Sequence, residues 1–246
     1  MGKAIRLFMG FCVAMFMAAG VSAQVTIAFD QADPPFMYQK GDSPAGLYPS
    51  LFKEAFSRMG ISATLVAVPW KRALDGADSG ANGVGGIYQN TERLAKYDFS
   101  APYYEERVAV YGPRNKGASF TTMEDLNGKT VGVISGWSYG DEFDNAVKTG
   151  KIKTDAGDGD NTNFAKLSAG RVDFVLAIVE SGDAAVKTQG LADSISRFQN
   201  LLTVNKVYLV FNKSTSQKDL LAAFDKTMLA MKSDGSFQKI VNEAFQ

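Results

Sequence analysis

The 246-residue chain carries 26 Lys+Arg against 26 Asp+Glu, a single cysteine and no histidine. That balance gives no basic face for a nucleic-acid partner. The missing residue types exclude most nucleophilic triads, His/Cys zinc sites and histidine acid–base chemistry, so neither a cofactor nor a metal is expected.

In chain order, MGKAIR, the 14-residue apolar run LFMGFCVAMFMAAG and the small-residue VSA follow the layout of a secretory signal peptide, with cleavage expected after Ala23. The run is shorter than the roughly 20 residues of a spanning helix, which favours export over anchoring. Residues 24–246 contain no cysteine, so the exported protein must be held by its core rather than by disulfides.

VTIAFD (25–30) alternates apolar residues and predicts a short buried strand. The Pro-, Gly- and Asp-rich QADPPFMYQKGDSPAG predicts loop. Leu51, Phe52, Ala55, Phe56 and Met59 recur at helical spacing, with Gly60 as the stop. ISATLVAVPW (61–70) predicts a strand ending at Trp70, KRALDGADSG a short helix, and GVGGIY (83–88) another strand. Asn90 or Thr91 would cap a helix whose first turn holds Arg93, where the macrodipole disfavours a cation. A mostly parallel sheet with helices on its faces follows from this β-α-β order.

ERVAVYGP (106–113) predicts a strand, TTMEDLNGK a capped short helix, and TVGVISG (130–136) a strand entering a turn. SYGDEFDNAVKTG predicts a helix, KIKTDA a strand, and NTNFAKLSAGR a helix capped by Asn161 or Thr162. VDFVLAIV (172–179) is a strongly apolar strand, and a long strand runs within LLTVNKVYLVFNKS. The last segment is amphipathic helix broken at Asp234-Gly235. The β/α pattern restarts after about residue 111, and the final helices have no strand of their own. Two lobes joined by strands near 106–113 and 204–212 would leave this trace, with a cleft between them as the default ligand site.

DxxxPPFxY, Gly46 before an amphipathic helix, PWxRAL, TERxxxxDFSxPYY, DLxGKxVGVxSG and AGRVDxV occur in this order. Together they make the chain resemble the bacterial periplasmic solute-binding proteins of family 3, the polar amino-acid receptors of ABC importers. The resemblance covers nearly all of residues 24–246. It implies an α/β, two-lobe periplasmic-binding-protein fold of type II, with two hinge strands and a ligand cleft between the lobes. Residues 24–110 plus 208–246 would form lobe 1, and 111–207 lobe 2.

The resemblance also implies site residues. Arg93 corresponds to the arginine that binds the ligand's α-carboxylate, for which a guanidinium supplies a bidentate fork. Gly85 and Gly86 would let the backbone approach the ligand. Ser135-Gly136-Trp137-Ser138 corresponds to the second lobe's contacting turn, where the Ser138 N–H would cap the same carboxylate; Trp137 fits an ordinary turn equally well. Trp70 matches an aromatic wall of the family pocket, or is core. Asp30 matches an acidic residue near the ligand, and it or Asp33 could instead cap the Pro34-Pro35 turn.

Three positions depart from the family pattern. Ile178 stands where an aspartate usually holds the ligand's ammonium, with Glu180 two residues on as a substitute at a different depth of the strand. Tyr88 replaces a small hydroxyl residue, and Ser50 an acidic one. Asp173 would pin the strand start. The resemblance therefore implies a periplasmic, monomeric, cofactor-free receptor. It would bind a small carboxylate-bearing solute and deliver it to an inner-membrane ABC permease, without catalysis. Two other readings remain at this point: a ligand sensor for a membrane signalling partner, and a dehydratase- or lyase-type enzyme with Glu180 as its acid–base group.

Overall fold

The computed structural model describes residues 25–114 and 117–246, and the expected signal segment lies outside them. Among the described residues no helix is long and apolar enough to cross a membrane.

The first strand, β1, spans Val25–Asp30. The segment expected to be loop instead folds into three short antiparallel strands, β2 (Ala32–Asp33), β3 (Met37–Lys40) and β4 (Ser43–Ala45). Its prolines do not oppose this: Pro34 and Pro35 lie in the β2–β3 connection, and Pro44 is on an outer strand of that sheet. Helix α1 (Leu47–Met59) buries Leu51, Phe52, Ala55 and Phe56 and ends at Gly60, whose φ of 66° suits a residue without Cβ. After β5 (Ala63–Val68), Trp70 opens helix α2 (Trp70–Asp78) rather than closing the strand. Pro69 is the reason: it has no N–H for the ladder, while its carbonyl accepts the helix's first bonds from Arg72 and Ala73 at 2.8 and 3.2 Å.

Strand β6 (Gly83–Tyr88), the short helix α3 (Thr91–Lys96) and β7 (Tyr97–Phe99) lead into β8 (Tyr104–Pro113). A 3-10 turn at Met123–Leu126, boxed by Thr122 and Asp125, precedes β9 (Thr130–Ile134). Helix α4 (Asp141–Lys148), β10 (Lys153–Gly157) and helix α5 (Asp160–Ser168) follow. The caps expected at Asn161 or Thr162 are displaced, because α5 already starts at Asp160, behind Gly159. Asp173 pins the next strand as expected, its carboxylate accepting the Thr130 N–H at 2.8 Å. That strand, β11 (Phe174–Ile178), turns at once into α6 (Val179–Thr188), so Glu180 sits in a helical turn and not on a strand. The 18-residue β12 (Ile195–Asn212) and helices α7 (Lys218–Ser233) and α8 (Ser236–Ala244) complete the chain, with the expected break at Gly235.

The main sheet runs β10-β9-β11-β8-β12-β6-β1-β5, with β7 also on β12. Parallel triplets at the two ends, β10-β9-β11 and β6-β1-β5, are bridged by β8 and β12, which pair antiparallel from Ile195↔Pro113 to Val207↔Tyr104. The chain thus leaves the first half along β8 and returns along β12. Each half has its own aromatic contacts: Phe52 meets Phe224 of α7 at 4.8 Å, and Tyr111 meets Phe164 at 5.0 Å. The second half's β-α units hang from the two bridging strands, and the site lies where the halves face one another.

Candidate functional site

Arg93 is positioned by local chemistry. The Asn90 side chain caps α3 by accepting the Arg93 N–H at 2.8 Å, and one arm of the guanidinium donates to the Tyr88 carbonyl at 3.0 Å. The guanidinium also lies over the Trp70 ring, 5.9 Å from its centroid. Only 8% of the residue is exposed, yet among the described residues no carboxylate pairs with it. Burial lowers its pKa, with Asp144 the first of the groups opposing that shift. Its remaining donors border a groove of about 680 Å³ shared with Asn90, Trp137, Ser138, Tyr139 and Asp144.

The turn before α4 supplies the facing wall. Trp70 Nε1 donates to Gly136 O at 3.0 Å, Asn90 Nδ2 to Ser138 Oγ at 3.1 Å, and Trp137 Nε1 to Asp30 Oδ2 at 2.9 Å. Thr91 donates its N–H and its hydroxyl to Asp141 at 3.1 and 2.8 Å. Trp137 packs edge-on against Trp70 and Tyr88, both with centroids at 6.4 Å. All of these contacts join the first half to the second, so the halves are closed on each other around Trp137.

Deeper between the halves lie four carboxyls. Glu106 of β8 is 2% exposed and accepts the Tyr48 hydroxyl on Oε1 and the Tyr88 hydroxyl on Oε2; burial lifts its pKa to about 7 despite both bonds. Asp30 is lifted by burial too, against the lowering bonds from Trp137 and the Ala32 N–H. Asp160 is pushed up by burial to about 6. Asp33 is pushed well up, first by burial and then by the charges of Glu106, Asp160 and Asp30. Among the described residues no cluster of three His, Cys, Asp or Glu is placed to hold a metal ion.

Of the residues singled out in the sequence, Arg93, Trp70, Tyr88, Asp30, Trp137 and Ser138 are brought to this interface. The start of α3 is already capped, with Asn90 and Asp141 accepting the N–H groups of Arg93 and Thr91. Gly86 (φ 82°) and Gly85 leave no room for a side chain: a Cβ on Gly86 would lie 2.5 Å from Met37 Sδ, and one on Gly85 2.4 Å from the Phe29 ring. Gly86 forms a bulge opposite Tyr208/Leu209 and donates its N–H to the Tyr103 hydroxyl at 2.9 Å. Glu180 is not a buried acid; it pairs with Arg107 at 2.6 Å, with 30% of its side chain exposed. Ile178 is fully buried and offers an ammonium nothing. The sequence reading left Glu106 and Asp160 unmarked, and no local signal marks them, since their setting comes from segments distant in the chain.

A sequence model of the bacterial extracellular solute-binding proteins, family 3, matches residues 25–246. The chain belongs to that family. Among its relatives, the L-cystine-binding protein TcyJ of Escherichia coli (strain K12) is 25% identical over 258 residues, covering 98% of this chain and 92% of that protein. The ABC transporter arginine-binding protein 1 of the same strain is 26% identical over 167 residues, 66% of this chain and 65% of its own. An ancestral arginine-binding protein bound to glutamine superposes with a TM-score of 0.75 at 25% identity, over 90% of this chain and 97% of that one. The two-lobe type II fold of periplasmic binding proteins is thus the fold of this family 3 chain. The family and these relatives are binding proteins by name.

Proposed function

We propose that the protein is a periplasmic receptor that closes around a small carboxylate-bearing solute, an amino acid or close analogue, and delivers it to an inner-membrane ABC importer. The observation that carries this is Arg93: a buried guanidinium with no carboxylate partner among the described residues, lodged between Trp70 and the Tyr88 carbonyl and lining a groove. Burying an unpaired cation is costly, and a ligand carboxylate would relieve that cost through bidentate, charge-assisted bonds. Ser138, whose N–H has no partner among the described residues, would add a donor from the opposite wall. Trp70, Tyr88 and Trp137 would pack along the ligand, and Asp30 would stand at its far side. The names of the cystine- and arginine-binding relatives support an amino acid as the ligand class.

Residues 24–110 plus 208–246 and residues 111–207 are the two lobes of this reading, released from a signal peptide at 1–23. A ligand touching both lobes favours the closed arrangement by its differential affinity for it. Thermal-shift titration with amino acids, small organic acids and amines tests the reading. A carboxylate-bearing compound should raise the midpoint with concentration, since it binds only the folded state. Arg93→Ala should lower its affinity by roughly 10–100-fold, the worth of a charge-assisted contact at about 1.5–3 kcal/mol, and leave the fold intact. Equal binding by the variant would refute the assignment.

A further inference from the structure

Two of the four carboxyls at the closed interface carry buried oxygens with no hydrogen-bond partner among the described residues. Glu106 has two tyrosine hydroxyls, and Asp30 has Trp137 and the Ala32 N–H. Asp33 Oδ1, Asp33 Oδ2 and Asp160 Oδ1 are enclosed and have no hydrogen-bond partner. Asp33 is 2% exposed and Asp160 8%. The Ser181 hydroxyl lies close enough to lower the pKa of both, but its own bond runs to Ile178 O at 3.3 Å. No lysine or arginine among the described residues pairs with either carboxyl.

The two residues come from opposite halves, Asp33 from β2 and Asp160 from the first residue of α5. They meet only because the halves have closed, with Gly159 so near β2 that a Cβ there would lie 3.2 Å from Ala32 O. Asp160 and Ser181 also line a second groove of about 760 Å³, rimmed by Gln31, Pro35 and Tyr38, which shares no lining residue with Arg93's groove. Like-charged carboxyls forced together away from water need a counter-charge or a proton. A primary ammonium has three donors and a guanidinium five, a match for three open carboxylate oxygens beside a hydroxyl. A bare metal ion is the poorer fit, because no third His, Cys, Asp or Glu among the described residues is placed to complete its shell.

We propose that Asp33 and Asp160 form a site for an alkylammonium or guanidinium cation, shared between the halves and complete only when they close. This goes beyond the Arg93 reading and does not depend on it. It also supplies a counter-charge for an ammonium where Ile178 supplies none. The cation is either the charged end of the same solute or a separate amine.

Isothermal titration of the purified protein decides it, using pairs that differ in one charge: arginine against citrulline, and lysine against norleucine, with cadaverine as a cation without a carboxylate. The charged member of each pair should bind at least 100-fold tighter than its neutral partner. Asp33→Asn and Asp160→Asn should each cut that preference below about tenfold while binding citrulline or norleucine as before. Circular dichroism melts at or above the wild-type midpoint show that the variants fold. Cadaverine binding that is lost in Asp33→Asn supports the site and identifies a free amine as its source; lysine binding without cadaverine binding supports it and places the cation on a carboxylate-bearing solute. Equal affinity for charged and neutral partners, an unchanged preference in both variants, or no binding by any cation overturns the proposal. Lysine binding that survives Arg93→Ala but not Asp160→Asn would sink the carboxylate reading alone.

Discussion

The Trp137 indole N–H donates to Asp30 Oδ2 across the cleft at 2.9 Å, joining the turn before α4 to the end of β1. Asp30 is 2% exposed, so this bond is one of the few that satisfy it. Trp137→Phe keeps an aromatic ring against Trp70 and Tyr88 but removes the donor. A buried acceptor left unsatisfied costs about 1–3 kcal/mol, and here the cost falls on the closed arrangement, since the bond does not exist when the halves part. The variant should therefore be more open without ligand. Small-angle scattering should show a larger radius of gyration with a nearly unchanged melting midpoint. An identical scattering profile would mean that the bond does not govern closure.

Glu106 sets a second test, because it sits on the strand leaving the first half and both its partners lie within that half. Tyr48→Phe and Tyr88→Phe each strip one hydroxyl from a carboxyl enclosed between α1 and β6. Each should destabilise the fold by about 1–3 kcal/mol in urea unfolding. The losses should not add: the remaining tyrosine and the carboxyl share one network, so the double variant should deviate from the sum by more than about 0.5 kcal/mol. Strict additivity would show that the two hydroxyls act independently. Tyr88→Phe should also leave Arg93 in place, since the guanidinium is held by the Tyr88 carbonyl and not by the phenol.

Local chemistry made much of this legible in advance. The Asn90 cap, the Gly60 stop, the break at Gly235 and the Asp173 pin are each decided by a few neighbouring atoms, and all stand in the structure. So does the two-crossing layout, because a β/α order that restarts leaves few topologies open. Trp70 and Glu180 were misplaced for a shared reason. An apolar run does not show where a strand stops, and both residues lie just past a strand that gives way to a helix. Gly182 lies against the Tyr111 ring, where a Cβ would be 2.6 Å from the hydroxyl, and so lets α6 pack closely on β8. The carboxyl cluster was illegible for another reason: positions 33, 106 and 160 share no period or motif, and Asp160 joins the other two only through closure of the halves.

The cross-cleft pair Thr91–Asp141 separates rigidity from recognition. Both bonds are exposed, and Asp141's pKa is lowered first by the Thr91 hydroxyl and then by its N–H. Exposed charge-assisted contacts contribute little to folding, so Asp141→Asn should leave the folding free energy within about 0.5 kcal/mol of wild type. It should act on closure, raising the ligand dissociation rate in stopped-flow by a few-fold with little change in association. A slower association with unchanged dissociation would place the contact in encounter instead.

The buried carboxyls give the ligand-free protein an inverted pH dependence. Glu106 is lifted to about 7 and Asp160 to about 6, and Asp30 and Asp33 are raised as well. A carboxyl whose pKa is higher folded than unfolded binds more protons in the native state. Its stabilising contribution is therefore complete below the unfolded value near 4 and is lost as pH rises through the folded one. The surface carboxyls lowered by their partners, such as Asp234 at about 2, act the other way but lose their contribution only at more acid pH. Between pH 5 and pH 8 the buried groups thus dominate, and urea unfolding should show stability falling across that window, most steeply between pH 5 and 6, where the unfolded carboxyls have ionised and Glu106 and Asp160 in the fold have not. Asp160→Asn, which cannot ionise, should flatten the lower part of the fall, and Glu106→Gln the upper part. Binding of a cation to the ionised pair should run in the opposite sense, tightening from pH 5 to pH 8 as protons leave. Stability that rises over this range in the wild type would show that these carboxyls are already ionised and compensated in the free protein.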